Sequence, residues 1–100
     1  MNENALRFLG LLNRGGKLLI GDPIEHHLKK GYALILAGSS QTVERLRAKG
    51  ERAGCLILEA PSKEILGGAI GFTMISAILV KDVSASQALA KKWLSEEGAV

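Results

Sequence analysis

The run at residues 32–37, YALILA, is uninterrupted, apolar and of strand length. A strand with one wet face alternates apolar and polar residues, so a continuous run means that both faces are covered. This feature requires a layer on each side of a sheet. Shorter apolar runs recur at residues 17–20, 55–58 and 75–80 and supply three further strands.

Helical signals lie between and around these runs. Ala5, Phe8, Leu9 and Leu12 fall at i, i+3, i+4 and i+7, which predicts an amphipathic helix over residues 3–14, stopped by Gly15-Gly16. Gly21-Asp22-Pro23 turns the chain. Asp22 is the expected N-cap and Pro23 the first helical residue of a short helix through Ile24 and Leu28 to Gly31. Ser39 and Ser40 cap a helix carrying Val43, Leu46 and Ala53 to about Gly54. Ser62 caps a short helix before the glycines, and Ser84 with Gln87 has capping-box spacing for a last helix presenting Ala85, Leu89 and Trp93. The order αβαβαβαβα predicts a three-layer α/β/α sandwich, one domain over residues 1–100.

Composition agrees. A hydrophobic fraction of 47% is enough for a packed interior. No apolar run approaches the roughly 18 residues of a membrane span, and MNENALRFLG is too polar for a signal peptide. Lone Cys55 has no internal disulfide partner, which suits the cytoplasm. The expected form is a cytoplasmic monomer that does not engage a membrane.

Catalytic chemistry finds little support. His26 and His27 are neighbours, and neighbours on a helix point about 100° apart, so they do not converge on a metal. Cys55 lies in a strand run and reads as a small core hydrophobe, and no serine has a GxSxG context. The segment from Gly10 to Lys17 has the glycines of a phosphate loop, but it follows a helix and lacks a Ser or Thr after Lys17. Gly68-Ala69-Ile70-Gly71 matches the GxxG of KH domains, but a strand follows it and no basic residue stands between the glycines. No catalytic residue, metal or cofactor is expected.

Binding chemistry is better represented. Net charge is +3 and uneven: residues 1–50 hold eight Lys and Arg against four acids, residues 51–100 five against six. A basic half is the electrostatic footprint of a polyanion binder, and equally of a solvated surface. Arg14, Lys17, Lys29 and Lys30 group near the first strand and second helix. The turn at Gly21 opens that helix, whose free N–H groups suit a phosphate or base edge. Gly67, Gly68 and Gly71 precede apolar Phe72 and Met74, a pairing suited to pressing on a flat aromatic surface. At the same end of the sheet, these elements would form a basic edge with an apolar wedge.

The element order, the opening LGLLNRGGKLLIG and the segment SKEILGGAIG resemble the ribosomal kink-turn-binding superfamily of the large-subunit proteins L-seven-Ae and L-thirty-e. The likeness is greatest to its bacterial YlxQ-type branch. Arg14-Gly15-Gly16-Lys17-Leu18 looks like that branch's strand entry, and Ser62, Lys63, Glu64, Leu66, Gly67 and Gly71 stand where the family has Ser-Lys-Glu-x-Leu-Gly-x-x-x-Gly. The resemblance covers the chain to about Ala90. It implies an L-thirty-e-like sandwich with a four-stranded mixed sheet and non-enzymatic binding of structured RNA, kink-turn-like or ribosomal. The implied RNA contacts are Gly21, Asp22, Pro23 and Glu25 after the first strand, and Phe72, Thr73 and Met74 before the last, with Lys17 alongside. The expected RNA surface is then the Gly21 turn and the Gly71–Met74 loop, with Lys17, Lys29 and Lys30 on phosphates. Strict kink-turn binders carry an Asn-Glu pair and a Lys after the glycine, whereas this chain has Asp22-Pro23-Ile24-Glu25. Pro23 cannot donate, and Asp22 repels phosphate where Asn would hydrogen-bond. The alternative is a module that keeps the fold and docks a protein, such as a translation factor, through Phe72 and Met74.

Overall fold

The apolar run at residues 32–37 contains an inner strand of the sheet in a computed structural model that describes residues 3–98, with side chains through residue 93. The elements are α1 (Glu3–Arg14), β1 (Leu18–Ile20), a 3-10 turn (Asp22–His26), β2 (Ala33–Leu36), α2 (Gln41–Ala53), β3 (Leu56–Glu59), α3 (Lys63–Gly68), β4 (Ala77–Val80) and α4 (Val83–Gly98). The strand order is β1-β4-β2-β3. β4 runs antiparallel to both neighbours, with Val80 opposite Leu18 on one side and Ala33 on the other. β2 and β3 are parallel, with Ala33 opposite Leu56. The sheet is therefore mixed.

Strand periodicity explains the layers. Side chains alternate across a strand, so Ala33 and Ile35 enter one core with Leu9 of α1, Leu66 of α3 and Leu89 of α4. Leu34 and Leu36 enter a second core with Ile24 of the 3-10 turn and Val43 and Leu46 of α2. All four β2 residues are buried, as the continuous run requires. The molecule is a three-layer α/β/α sandwich: α1, α3 and α4 on one face, α2 and the 3-10 turn on the other. No helix among the described residues is long and apolar enough to cross a membrane.

Local signals explain most boundaries. Ser40 and Ser62 accept from the backbone N–H three residues on, capping α2 and α3. Gly54 ends α2 in the left-handed conformation that glycine adopts without a Cβ penalty. Two expectations are corrected. The second helix is only a 3-10 turn: Gly21 is its cap, Asp22 makes no side-chain cap, and it ends at His26 instead of reaching Leu28. Pro23 has no N–H and Ile24 donates to Gly21 O at 3.1 Å, so the expected array of free helix donors is not formed. The last helix is capped by Asp82, whose Oδ1 accepts from Ala85 N at 2.8 Å, and not by Ser84. Cys55 precedes β3, half-buried against the second core, and burial pushes its thiol pKa up.

The Asp82 cap has a pH signature. The Ala85 N–H bond and then Lys17, 3.1 Å away, hold its carboxyl below the usual aspartate range. A depressed folded-state pKa stabilises above the unfolded value and is lost as pH falls through the folded one. Asp82→Ala is expected to lower the unfolding midpoint by a few degrees at pH 7, with the gap closing in acid, while Ser84→Ala leaves it unchanged. Thermal melts from pH 7 down to pH 3 check both. A midpoint that responds to Ser84 instead would return the cap to that residue.

Candidate functional site

The loop between α3 and β4 is built by close packing on α3. A Cβ on Gly67 would stand 2.9 to 3.0 Å from the backbone of Met74, so only glycine admits the loop there. Phe72 N donates to Gly67 O at 2.9 Å and Ile75 N to Lys63 O at 3.0 Å, fixing the loop at two points. Gly71, at φ +84°, reverses the chain between them. Ile75 is thereby buried while Phe72 and Met74 point outward, 50% and 56% exposed.

Across from them lies the turn that follows β1. Gly21, at φ +86°, swings the chain out of the sheet, and fully buried Ile24 anchors the turn. Asp22, Glu25 and His26 then face the same space as Phe72 and Met74. Thr42, Arg45 and Leu46 of α2 form a third wall. The result is a groove of about 530 Å³ at the end of the sheet where β1 stops and β4 begins.

Its electrostatics centre on Glu25. The carboxylate bonds to Lys49 and lies 3.5 Å from Arg45 Nε. The Lys49 hydrogen bond and charge, then Arg45 and His26, hold its pKa below the usual glutamate range against some desolvation. Glu25 is thus an ionised acceptor fixed in direction. Arg45 remains 58% exposed and can also meet an incoming anion. One groove therefore offers an aromatic face, an oriented acceptor and a guanidinium.

The structure brings together Gly21, Asp22, Glu25, Phe72 and Met74. Pro23, Gly71 and Thr73 are exposed beside them without lining the groove. Arg14, Lys17, Lys29 and Lys30 do not join them, and the expected basic edge with an apolar wedge is corrected here. Lys81 N donates to Lys17 O, and Gly31 N to Gly54 O, at the other end of the strands. Lys17 immediately precedes β1, which ends at the groove, so Lys17 and Gly21 lie about 13 Å apart along the strand at roughly 3.3 Å per residue. β2 is parallel to β1, so residues 27–31 must carry the chain back across the sheet before β2 begins. Lys29 and Lys30 therefore emerge beside Lys17.

Arg45, Lys49 and Thr42 were not legible as site residues. Arg45 and Lys49 sit at i, i+4 on α2, an ordinary solvated helix pattern until the topology sets Glu25 beside it. Among the described residues, no group of three or more His, Cys, Asp or Glu could hold a metal ion.

The fold places the chain among three-layer α/β/α proteins with a four-stranded mixed sheet. No family model matches it, and no curated protein does. A solved structure from Bacillus halodurans C, described as a protein with unknown function, is similar in fold. It is 26% identical, with a TM-score of 0.76, over 89% of this chain and 95% of that one.

Proposed function

We propose that this is a non-enzymatic RNA-binding protein of the L-seven-Ae and YlxQ type, acting in the cytoplasm on a structured RNA, ribosomal or kink-turn-like. The observation that carries the reading is convergence. The turn after β1 and the loop before β4 are 50 residues apart in sequence, from Gly21 to Gly71, yet they share one groove. These are the two elements through which the family that the sequence resembles grips RNA. The chemistry suits an unstacked base. Phe72 offers a stacking face, Glu25 accepts from amino or imino groups of a base edge, and Arg45 reaches the backbone.

On this reading Asp22 and Pro23 alter recognition. Asp22 puts a carboxylate where strict kink-turn binders have an amide donor, and Pro23 has no N–H to give, so the edge read here presents donors, and phosphate contact falls to Arg45. The same acidic, apolar lining favours a second reading, a docking site for a basic segment of a partner protein.

Ultraviolet crosslinking in lysate with sequencing of attached RNA separates them. The reading expects a defined RNA, attached at the 21–25 and 72–74 segments and lost in a Gly21→Trp, Phe72→Ala variant. Arg45→Ala is expected to weaken binding of that RNA about tenfold, on the scale of a charge-assisted contact. An absence of enriched RNA, with a protein captured through Phe72 instead, would replace it by the docking reading.

A further inference from the structure

The end of the sheet opposite the groove gathers six cations from four separate connections. Arg14 ends α1, Lys17 enters β1, Lys29 and Lys30 precede β2, Arg52 closes α2 and Lys81 follows β4. Backbone contacts hold these segments together: Lys81 N to Lys17 O at 2.8 Å and Gly31 N to Gly54 O at 3.1 Å. A Cβ on Gly54 would stand 3.1 Å from the Lys30 side chain. The carboxylates there are Glu51, and Asp82 which caps α4 and pairs with Lys17. Six cations against two acids give +4, whereas the other seven Lys and Arg against eight acids give −1, summing to the chain's +3. Most of the protein's excess positive charge therefore belongs to this end. Arg14, Lys29, Lys30, Arg52 and Lys81 are exposed and form no ion pair with any described residue.

We propose that this end is a second, sequence-independent surface for RNA phosphate backbone, so that one molecule holds two RNA segments, one at each end of its sheet. The inference rests on the RNA-binding reading for the identity of the polyanion. Tyr32 stands at this end half-buried, with Lys29 Nζ over its ring at 6.0 Å, and Asp82 is taken up by Lys17 and the α4 cap. What remains free is cations from several loops, which recognise phosphate spacing and carry no base information. The two surfaces face away from each other, so a straight duplex cannot touch both. An anionic membrane fits less well, because membrane seating joins cations to a continuous apolar face. Here the nearby exposed apolar residues are single, Val83 and Leu11 on different helices, while Phe72 and Met74 stand at the far end.

The test is binding of a mixed-sequence RNA duplex of about 16 base pairs, titrated across salt by fluorescence anisotropy. The K29E/K30E variant is expected to bind at least about tenfold more weakly at low salt and to lose about 2 from the slope of log affinity against log salt. R7E/K91E changes net charge equally on the α1 and α4 surface and is expected to keep the wild-type slope. An equal fall in both variants, or in neither, overturns the proposal. So does binding to phosphatidylserine vesicles without binding to the duplex. Crosslinks at Phe72 report the groove separately: their loss with the duplex slope intact sinks the groove and leaves this surface standing.

Discussion

Gly67→Ala is expected to destabilise the protein by about 1–3 kcal/mol and to abolish RNA crosslinking at Phe72. Two effects oppose one another at this position. Alanine favours a helix by up to about 1 kcal/mol over glycine. Against that, the new methyl would lie 2.9 to 3.0 Å from Met74 N, Cα and C, and backbone cannot swing aside as a side-chain tip can. Relief requires the loop to lift, which breaks the Phe72–Gly67 and Ile75–Lys63 bonds and exposes Ile75. The clash therefore wins. The adjacent Gly68 is an internal control: it is exposed, and a Cβ there meets nothing within 4 Å. Gly68→Ala should be neutral or stabilising. In denaturant melts Gly67→Ala should fall below wild type while Gly68→Ala does not, and a Gly67→Ala protein at least as stable as wild type would show that the loop is not seated on α3.

The contrast between these glycines marks what sequence can convey. That residues 61–71 make a capped turn of helix followed by a reversal is legible, because Ser62 and the glycines are local signals with local causes. Which glycine bears the loop is not, because the contact joins Gly67 to a residue seven positions away through space. The same division runs through the site. The 32–37 run announced a strand covered on both faces, and β2 is buried throughout. The Gly21 turn and the apolar loop were each recognisable, and their convergence followed only from the resemblance. The placement of Lys29 and Lys30 failed at sequence level for a topological reason. Short elements suggest neighbours in space, but a parallel β1 and β2 force the connection back across the sheet, so residues close in sequence to Glu25 end at the opposite pole. Asp82 displaced Ser84 as cap because the helix begins two residues earlier than capping-box spacing suggests.

Ser86→Ala is expected to cost about 2–4 kcal/mol, far above an ordinary helix-surface serine substitution. Ser86 lies in the alanine-rich run VSASQALA, where no signal in the sequence marks it for burial. In the structure it is fully buried. Its Oγ accepts from Ala33 N at 2.8 Å and donates to Val80 O at 3.3 Å. Ala33 and Val80 face each other where β2 and β4 begin to part, so the sheet itself does not close these two groups. The hydroxyl of α4 does so, tying that helix to the central strand pair. Removing it strands a buried donor and a buried acceptor, each worth about 1–3 kcal/mol unpaired, and alanine returns only a small gain in helix propensity. Ser84→Ala, at an exposed position, should change stability by less than about 0.5 kcal/mol. The sharper readout is hydrogen exchange at the Ala33 amide, which should lose its protection in Ser86→Ala before neighbouring β2 amides do. A Ser86→Ala protein with wild-type stability and an unchanged Ala33 amide would mean that the hydroxyl is only housed in the core and does not hold α4 against the sheet.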